Sequence, residues 1–379
     1  MDGNAVRAVR LREYLAADSG NAELACELAD LLAAQGAPED AERVLAGLPE
    51  SSQTTAAIGF RRARLALATG RYADASLQLN ALIEQGVDAP AIAHDLAFSQ
   101  LCLRQTGRAR QTVGDALARH GASSPLHILA ARIALQEQQF DTALNHLQTA
   151  LQLDPNDAQA HGVHALALFD SNRLEPALQS AAAALQQDPD QHEAQIVAGT
   201  LALWNREWDV AQPLFERAVG FHANSGRALS GLGQCLMLRN ELPAAREVLE
   251  RAVKAMPEHI GTWHALAWTQ LLQGESAAAK ASYEQAYALD RNFGDTHGGL
   301  ALVAVLNDRL DEAAASIERA LRLDRNSITG RYARSLLLQK QGDTAGSEAL
   351  LSELLDAGGI PGVPVAEFAQ RLQHTLSPK

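Results

Sequence analysis

The sequence predicts an all-α solenoid of about ten 34-residue helix-turn-helix repeats with a capping helix at each end. Three observations carry that prediction. A period of 34 runs through most of the 379 residues, small side chains hold two fixed registers of that period, and the apolar content is aliphatic rather than aromatic (47% hydrophobic, 4% aromatic). A fixed period of roughly 20–50 residues marks a stack of supersecondary units that bury their apolar faces on one another, not a single compact core.

The units begin at Ala22, Ala56, Pro90, Ser124, Ala158, His192, Gly226, Ile260, Gly294 and Ile328 and cover residues 22–361. Their eighth residues are Ala29, Ala63, Ala97, Ala131, Ala165, Gly199, Gly233, Ala267, Ala301 and Ser335, all small. The twentieth residues, from Ala41 and Ala75 through Ala313 to Ser347, are small without exception, and seven of the twenty-seventh are alanine. Such registers are where two helices can cross closely.

Taken in chain order, residues 1–21 form an N-terminal capping helix, with 4–17 in the place of a second helix and Leu11 at its large apolar position. Each full unit then reads as two helices. In the unit from Ser124, Ile128, Leu129, Ile133 and Leu135 recur at helical spacing, a polar run from Gln136 to Gln139 interrupts them, and Leu144, Leu147 and Leu151 resume it. Gly36, Gly70, Asn172, Asn240, Gly274 and Gly342 suit the left-handed residue that ends a helix. Pro155, Pro189 and Pro257, each the thirty-second residue of its unit, stop the second helix. In the unit from Pro90 the glycine comes late, at Gly107, which predicts a longer first helix and a local irregularity there. Residues 362–379 form a C-terminal capping helix and tail, with Phe368, Ala369 and Leu372 on the packing face of 364–376. Solenoid ends need such covers. On this division the chain reads as complete, without room for a separate catalytic domain.

Charge narrows the partners. The 32 basic against 45 acidic residues give −13, and no Lys/Arg run interrupts that balance, so neither nucleic acid nor an anionic membrane is an expected partner. Cys26, Cys102 and Cys235 are far apart and odd in number, which fits neither a disulfide framework nor a cysteine metal site. The N-terminal segment lacks a signal-type apolar core, and no run of eighteen apolar residues occurs. The expectation is a soluble cytoplasmic protein, although a chain trimmed of an export signal would read identically.

The registers resemble those of the tetratricopeptide repeat family. Trp263, Leu266, Ala267, Ala279, Tyr283 and Ala286 in one unit, and Leu232, Gly233, Ala245, Ala252 and Pro257 in the one before it, hold that family's characteristic places. The match spans about nine tenths of the chain. His161 and His164 depart from it, standing where an aromatic and a leucine are usual. The resemblance implies a right-handed superhelix whose concave wall is built from first helices, and a non-enzymatic scaffold or adaptor that binds a peptide or helical segment of a partner in that groove.

The wall should carry the second, fifth, ninth and twelfth residues of each unit. The candidate partner-binding residues among them are Phe60, Arg64, His94, Phe98, Ile128, Arg132, Phe169, Gln234, His264, Trp268 and Tyr332, and Ile196, Leu203, Met237, Leu271, Leu302 and Val305 share the same face. Apolar residues with isolated charges suit an amphipathic helix or an apolar peptide; packing against neighbouring units is the competing use of each. The Lys–Asn clamp by which some relatives hold a chaperone's terminal carboxylate is absent. Two other functions stand beside the adaptor: a peptide-sensing regulatory subunit, and a self-assembling scaffold of a secretion or envelope-polymer system, with homo-oligomers possible. No catalytic residue, metal ligand or cofactor is assigned. His161 and His164 are two helical neighbours without a third ligand, and no nucleotide or nucleophile motif occurs. The glycines of the 231–235 and 298–300 segments fall within first helices, where they permit close helix approach.

Overall fold

The computed structural model describes residues 3–356, and every regular element in them is a helix. In chain order these are α1 (Gly3–Ala17), α2 (Ala22–Ala34), α3 (Pro38–Ala46), α4 (Glu50–Gln53), α5 (Ala56–Ala68), α6 (Tyr72–Glu84), α7 (Pro90–Cys102), α8 (Thr106–His120), α9 (Ser124–Gln136), α10 (Phe140–Leu153) and α11 (Ala158–Asp170). There follow α12 (Leu174–Gln187), α13 (His192–Trp204), α14 (Trp208–Phe221), α15 (Gly226–Leu238), α16 (Leu242–Ala255), α17 (Ile260–Leu272), α18 (Ser276–Leu289), α19 (Gly294–Leu306), α20 (Leu310–Leu323), α21 (Ile328–Lys340) and α22 (Thr344–Asp356). The chain is an all-α solenoid of helix pairs. It divides into two compact units, Met1–Asn172 and Arg173–Lys379. The expected C-terminal helix at 364–376, with Phe368, Ala369 and Leu372, lies outside the described residues.

Local rules set the repeat. All ten first helices, α2 to α21, are thirteen residues long, and successive ones start 34 residues apart. The residue before each is its cap: Asn21, Asp157, Gln191, His259 and Ser327 accept hydrogen bonds from backbone N–H groups of the first turn, which have no partner inside the helix. The fifteenth residue of every repeat has positive φ, between 54° at Asp308 and 89° at Gly342. Glycine holds four of these places and asparagine two, but Arg104, Gln138, Arg206 and Asp308 take the others, at about 1 kcal/mol of backbone strain each. This corrects one expectation. In the repeat from Pro90, Arg104 adopts φ 60°, so α7 ends at Cys102 on schedule and is no longer than its counterparts.

The small registers are the crossing points. Ala63, Ala97, Ala131, Ala165, Ala267 and Ala301 in the first helices and every alanine from Ala41 to Ala313 in the second are fully buried. In the last repeat both are serine, and the crossing is kept by a bond of 3.0 Å between the Ser335 and Ser347 hydroxyls. The large residue at place twenty-four of a second helix packs on place six of the next first helix. Phe215 and Tyr283, both fully buried, lie against Gly231 and Gly299, where any Cβ would come within 2.3 and 2.2 Å of their rings. Fully burying one such ring contributes about 2–3 kcal/mol.

Within the N-terminal unit, α1 covers α2 through Ala8 and Leu11, 2% and 5% exposed, and the remaining core is a series of small clusters between successive helix pairs. Within the C-terminal unit one large cluster runs from Ala202 to Leu354. Among the described residues no helix is long and apolar enough to cross a membrane.

Candidate functional site

The first helices of the N-terminal unit carry charged and aromatic side chains that are exposed at Arg64 and half-buried at Phe60, His94 and Phe98. Arg64 of α5 is exposed, pairs with no carboxylate among the described residues, and sets its guanidinium 6.0 Å from the centre of the Phe60 ring, within cation–π range. The two other arginines of α5 are engaged: Arg61 donates from Nε and Nη2 to Asp30 at 3.0 and 2.8 Å, and Arg62 donates to Gln53 Oε1 at 3.1 Å. On α7, Phe98 is half-buried, its edge against the Tyr72 ring at 6.3 Å. His94, at the same place on α7 as Phe60 on α5, has Nδ1 3.0 Å from Asp95 Oδ1. Arg132 of α9 and Phe169 of α11 are also half-buried.

Ile128 is a correction on this face. It is 2% exposed and belongs to the cluster with Leu147 and Val163. A branched aliphatic chain has no polar end to keep in water, so the core takes it.

Many of the same places in the C-terminal unit are closed, although Thr200, Gln234, His264 and Trp268 stay half-buried. Leu203, Met237, Leu271, Leu302 and Val305 are between 0% and 4% exposed, and Ile196 is 6%. The closest approach is at Gly298 of α19, where a Cβ would stand 2.4 Å from Gly330 N: α19 and α21 touch backbone to backbone. With no side chain at that place, Trp268 of α17 and Tyr332 of α21 come within 6.4 Å, ring centre to ring centre, although they stand two repeats apart. Tyr332, 4% exposed, is therefore a packing residue, and burial pushes its phenol pKa up. Trp268 packs against the same cluster. Gln234 turns back onto its own helix, donating to Ser230 O at 3.2 Å.

His264 is a half-buried link between repeats. Its Nε2 lies 2.8 Å from Thr296 Oγ1, and the Tyr283 and Phe293 rings stand edge-on at 5.4 and 5.5 Å. Burial, reinforced by His259, pushes its pKa down to about 4, so the imidazole is neutral at neutral pH. Similar polar bridges join Thr262 to Ser230 at 3.2 Å and His192 to Ser225 at 2.9 Å.

The histidine pair also resolves into structure. Nε2 of His161 lies 2.9 Å from Pro155 O, and the equivalent places repeat the contact: Gln195 Nε2 to Pro189 O, Trp263 Nε1 to Pro257 O and His297 Nε2 to Arg291 O, all at 2.8 Å. The requirement at place four is an N–H that reaches the preceding turn, which histidine, glutamine and tryptophan all supply. His164 is half-buried, and burial lowers its pKa. Among the described residues no group of three or more His, Cys, Asp or Glu could hold a metal ion. Burial raises the pKa of all three thiols, Cys235 to about 12.

One feature outside the sequence reading is a cleft of about 130 Å³ between α8, α9 and α10, lined by Val113, Leu117 and Ile133, with the Arg110–Glu137 pair at its edge.

Models of the tetratricopeptide repeat match residues 2–61, 103–167, 134–201, 196–259 and 264–328. The chain belongs to the tetratricopeptide repeat family. No curated protein matches it. Among solved structures, a human IFIT1 dimer with m7Gppp-AAAA is similar over 94% of this chain and 91% of that one, at 17% identity and TM-score 0.52. A human IFIT1 dimer with PPP-AAAA matches over 100% and 96%, at 16% identity and 0.51. A tetratricopeptide repeat protein from Parabacteroides merdae matches over 65% and 97%, at 15% and 0.44. At these identities the likeness concerns the fold of this tetratricopeptide repeat chain and not its ligand. Repeats of this family make a protein-interaction scaffold.

Proposed function

We propose that the chain is a non-catalytic adaptor that holds a peptide or helical segment of a partner protein on the first-helix face of its N-terminal unit. The observation that carries this reading is the exposed Arg64 with the half-buried Phe60, His94 and Phe98 on consecutive first helices, where the C-terminal unit buries Ile196, Leu302 and Tyr332 at equivalent places. Binding energy concentrates in aromatic and arginine anchors, and these are the residues on offer. A photo-crosslinker placed at Phe98 and presented to a displayed peptide library tests the proposal. Crosslinked peptides competed away by free peptide support it; none recovered at Phe98, with recovery at a site on a second helix, overturns it.

A second reading has its own observation. α1 exposes Val9 and Tyr14 at 52% and 59% while Ala8 and Leu11 face inward, an apolar outer stripe that favours self-association through that helix. Sedimentation over a wide concentration range tests it: a Tyr14→Glu variant that dissociates a concentration-dependent dimer supports it, and a monomer throughout removes it.

A further inference from the structure

We propose that the cleft between α8, α9 and α10 is a second binding site, which takes a small neutral aromatic ligand bearing a hydroxyl group, a phenol. None of its lining residues belongs to the first-helix series of the adaptor reading, so the two assignments stand or fall separately. The cleft opens where one side chain is missing. Gly114 of α8 lines it, and a Cβ there would meet nothing within 4 Å. The same place, the twenty-fifth of the repeat, holds Asn80 and Gln148 in the flanking repeats and Glu216, Glu250, Glu284 and Glu318 in four repeats of the C-terminal unit. Apolar lining comes from Val113, Leu117 and Ile133, of which Val113 and Ile133 are 2% exposed. An apolar cavity of roughly 150 Å³ holds one benzene ring, and this cleft measures about 130 Å³, so a single six-membered ring is the fitting occupant.

The polar groups of the lining select what the ring carries. Arg110 is engaged: its Nη1 donates to both carboxylate oxygens of Glu137, at 3.0 and 2.9 Å, so each charge neutralises the other. His146 of α10 also lines the cleft, with its Nδ1 3.0 Å from Nδ1 of His127 on α9. Two ring nitrogens share such a bond only when one carries the proton and the other does not. Burial lowers the pKa of both imidazoles, which are therefore neutral at neutral pH. Nε2 of His146, which has no partner among the described residues, is then a donor or an acceptor according to which ring lends the shared proton. The Thr142 hydroxyl, exposed in the same lining, has no partner among the described residues either. A ligand hydroxyl both donates and accepts, so a phenol suits either tautomer. A carboxylate only accepts and an ammonium only donates, and neither finds an unpaired opposite charge among the lining residues.

Methyl-resolved NMR of the full chain, titrated with 4-methylphenol, toluene, benzoate and N-acetyltyrosinamide, tests the assignment. 4-Methylphenol should shift the methyl signals of Val113, Leu117 and Ile133 and bind at least fivefold tighter than toluene and at least tenfold tighter than benzoate. Gly114→Leu should weaken 4-methylphenol at least tenfold while melting no lower than the parent, because leucine is the better helix former and finds open space at that place. His146→Leu should bring 4-methylphenol down to the affinity of toluene and leave toluene unchanged, with circular dichroism of both variants separating an altered cleft from a lost fold. No shift of the three residues' methyls with any probe overturns the site. Toluene binding as tightly as 4-methylphenol to the parent overturns the recognition of a hydroxyl, and benzoate binding more tightly than either overturns the neutral ligand. N-acetyltyrosinamide binding at least tenfold tighter than 4-methylphenol overturns the small molecule in favour of a partner's tyrosine. Each of these outcomes leaves the first-helix adaptor reading to its own test at Phe98.

Discussion

The two units use one register for opposite purposes. Place nine is Arg64, exposed, and Phe98, half-buried, in two repeats of the N-terminal unit; it is Leu302 and Leu336, both buried, in the last two repeats of the C-terminal unit. The backbone plan is the same in both, with thirteen-residue first helices and positive φ at every fifteenth residue. At α19 and α21 the first helices touch backbone to backbone, which Gly298 permits. A residue's place in the repeat therefore says which way it faces, while the neighbouring helix decides whether that direction ends in solvent or in a side chain.

The contrast is most easily broken at Leu302. Leu302→Ala should cost the C-terminal unit about 3–4 kcal/mol in urea unfolding, through lost burial and the cavity left behind; a loss below 1 kcal/mol would mean that its face is open. Acid comes next. His264 has a native pKa of about 4 against 6.5 unfolded, so the unfolded state takes up the proton first. Stability is full above pH 6.5 and is lost as pH falls towards 4, by roughly 3 kcal/mol at most. His264→Gln should flatten the C-terminal unit's stability in that window, and the neighbouring His259, whose pKa burial also lowers, accounts for a smaller remainder. A curve as steep as the parent's contradicts the assignment.

Smaller effects sharpen the shared plan. Arg206→Gly at φ 67° should raise stability by about 0.5–1 kcal/mol, because glycine adopts that backbone without strain; a lower melting temperature would show that the arginine side chain compensates. Arg64→Ala, the register counterpart of Leu302→Ala, should change stability by less than about 0.5 kcal/mol, and calorimetry of the two side by side measures the difference between the units directly.

Much of this fold is legible in the sequence because repetition converts weak local signals into a phase. Single alanines at Ala63 or Ala245 mean little alone; in register they mark each helix crossing. The left-handed turn was readable at Gly70 and Asn172 but not at Arg104, Gln138, Arg206 or Asp308, since helix geometry imposes that φ on whatever residue arrives there. His161 could be placed at an aromatic position, but its hydrogen bond to Pro155 O needed the turn's coordinates. The candidate face was half legible. Periodicity pointed to Arg64 and Phe98 and to Ile128 and Tyr332 alike, and only packing separates them, because depth along a side chain's direction depends on the helix opposite.

Hydrogen–deuterium exchange of the full chain with and without a peptide recovered by crosslinking at Phe98 tests the central claim most directly. Protection confined to α5, α7 and α9 is the predicted result; protection of α15, α17 and α19 instead, with the N-terminal unit unchanged, contradicts it.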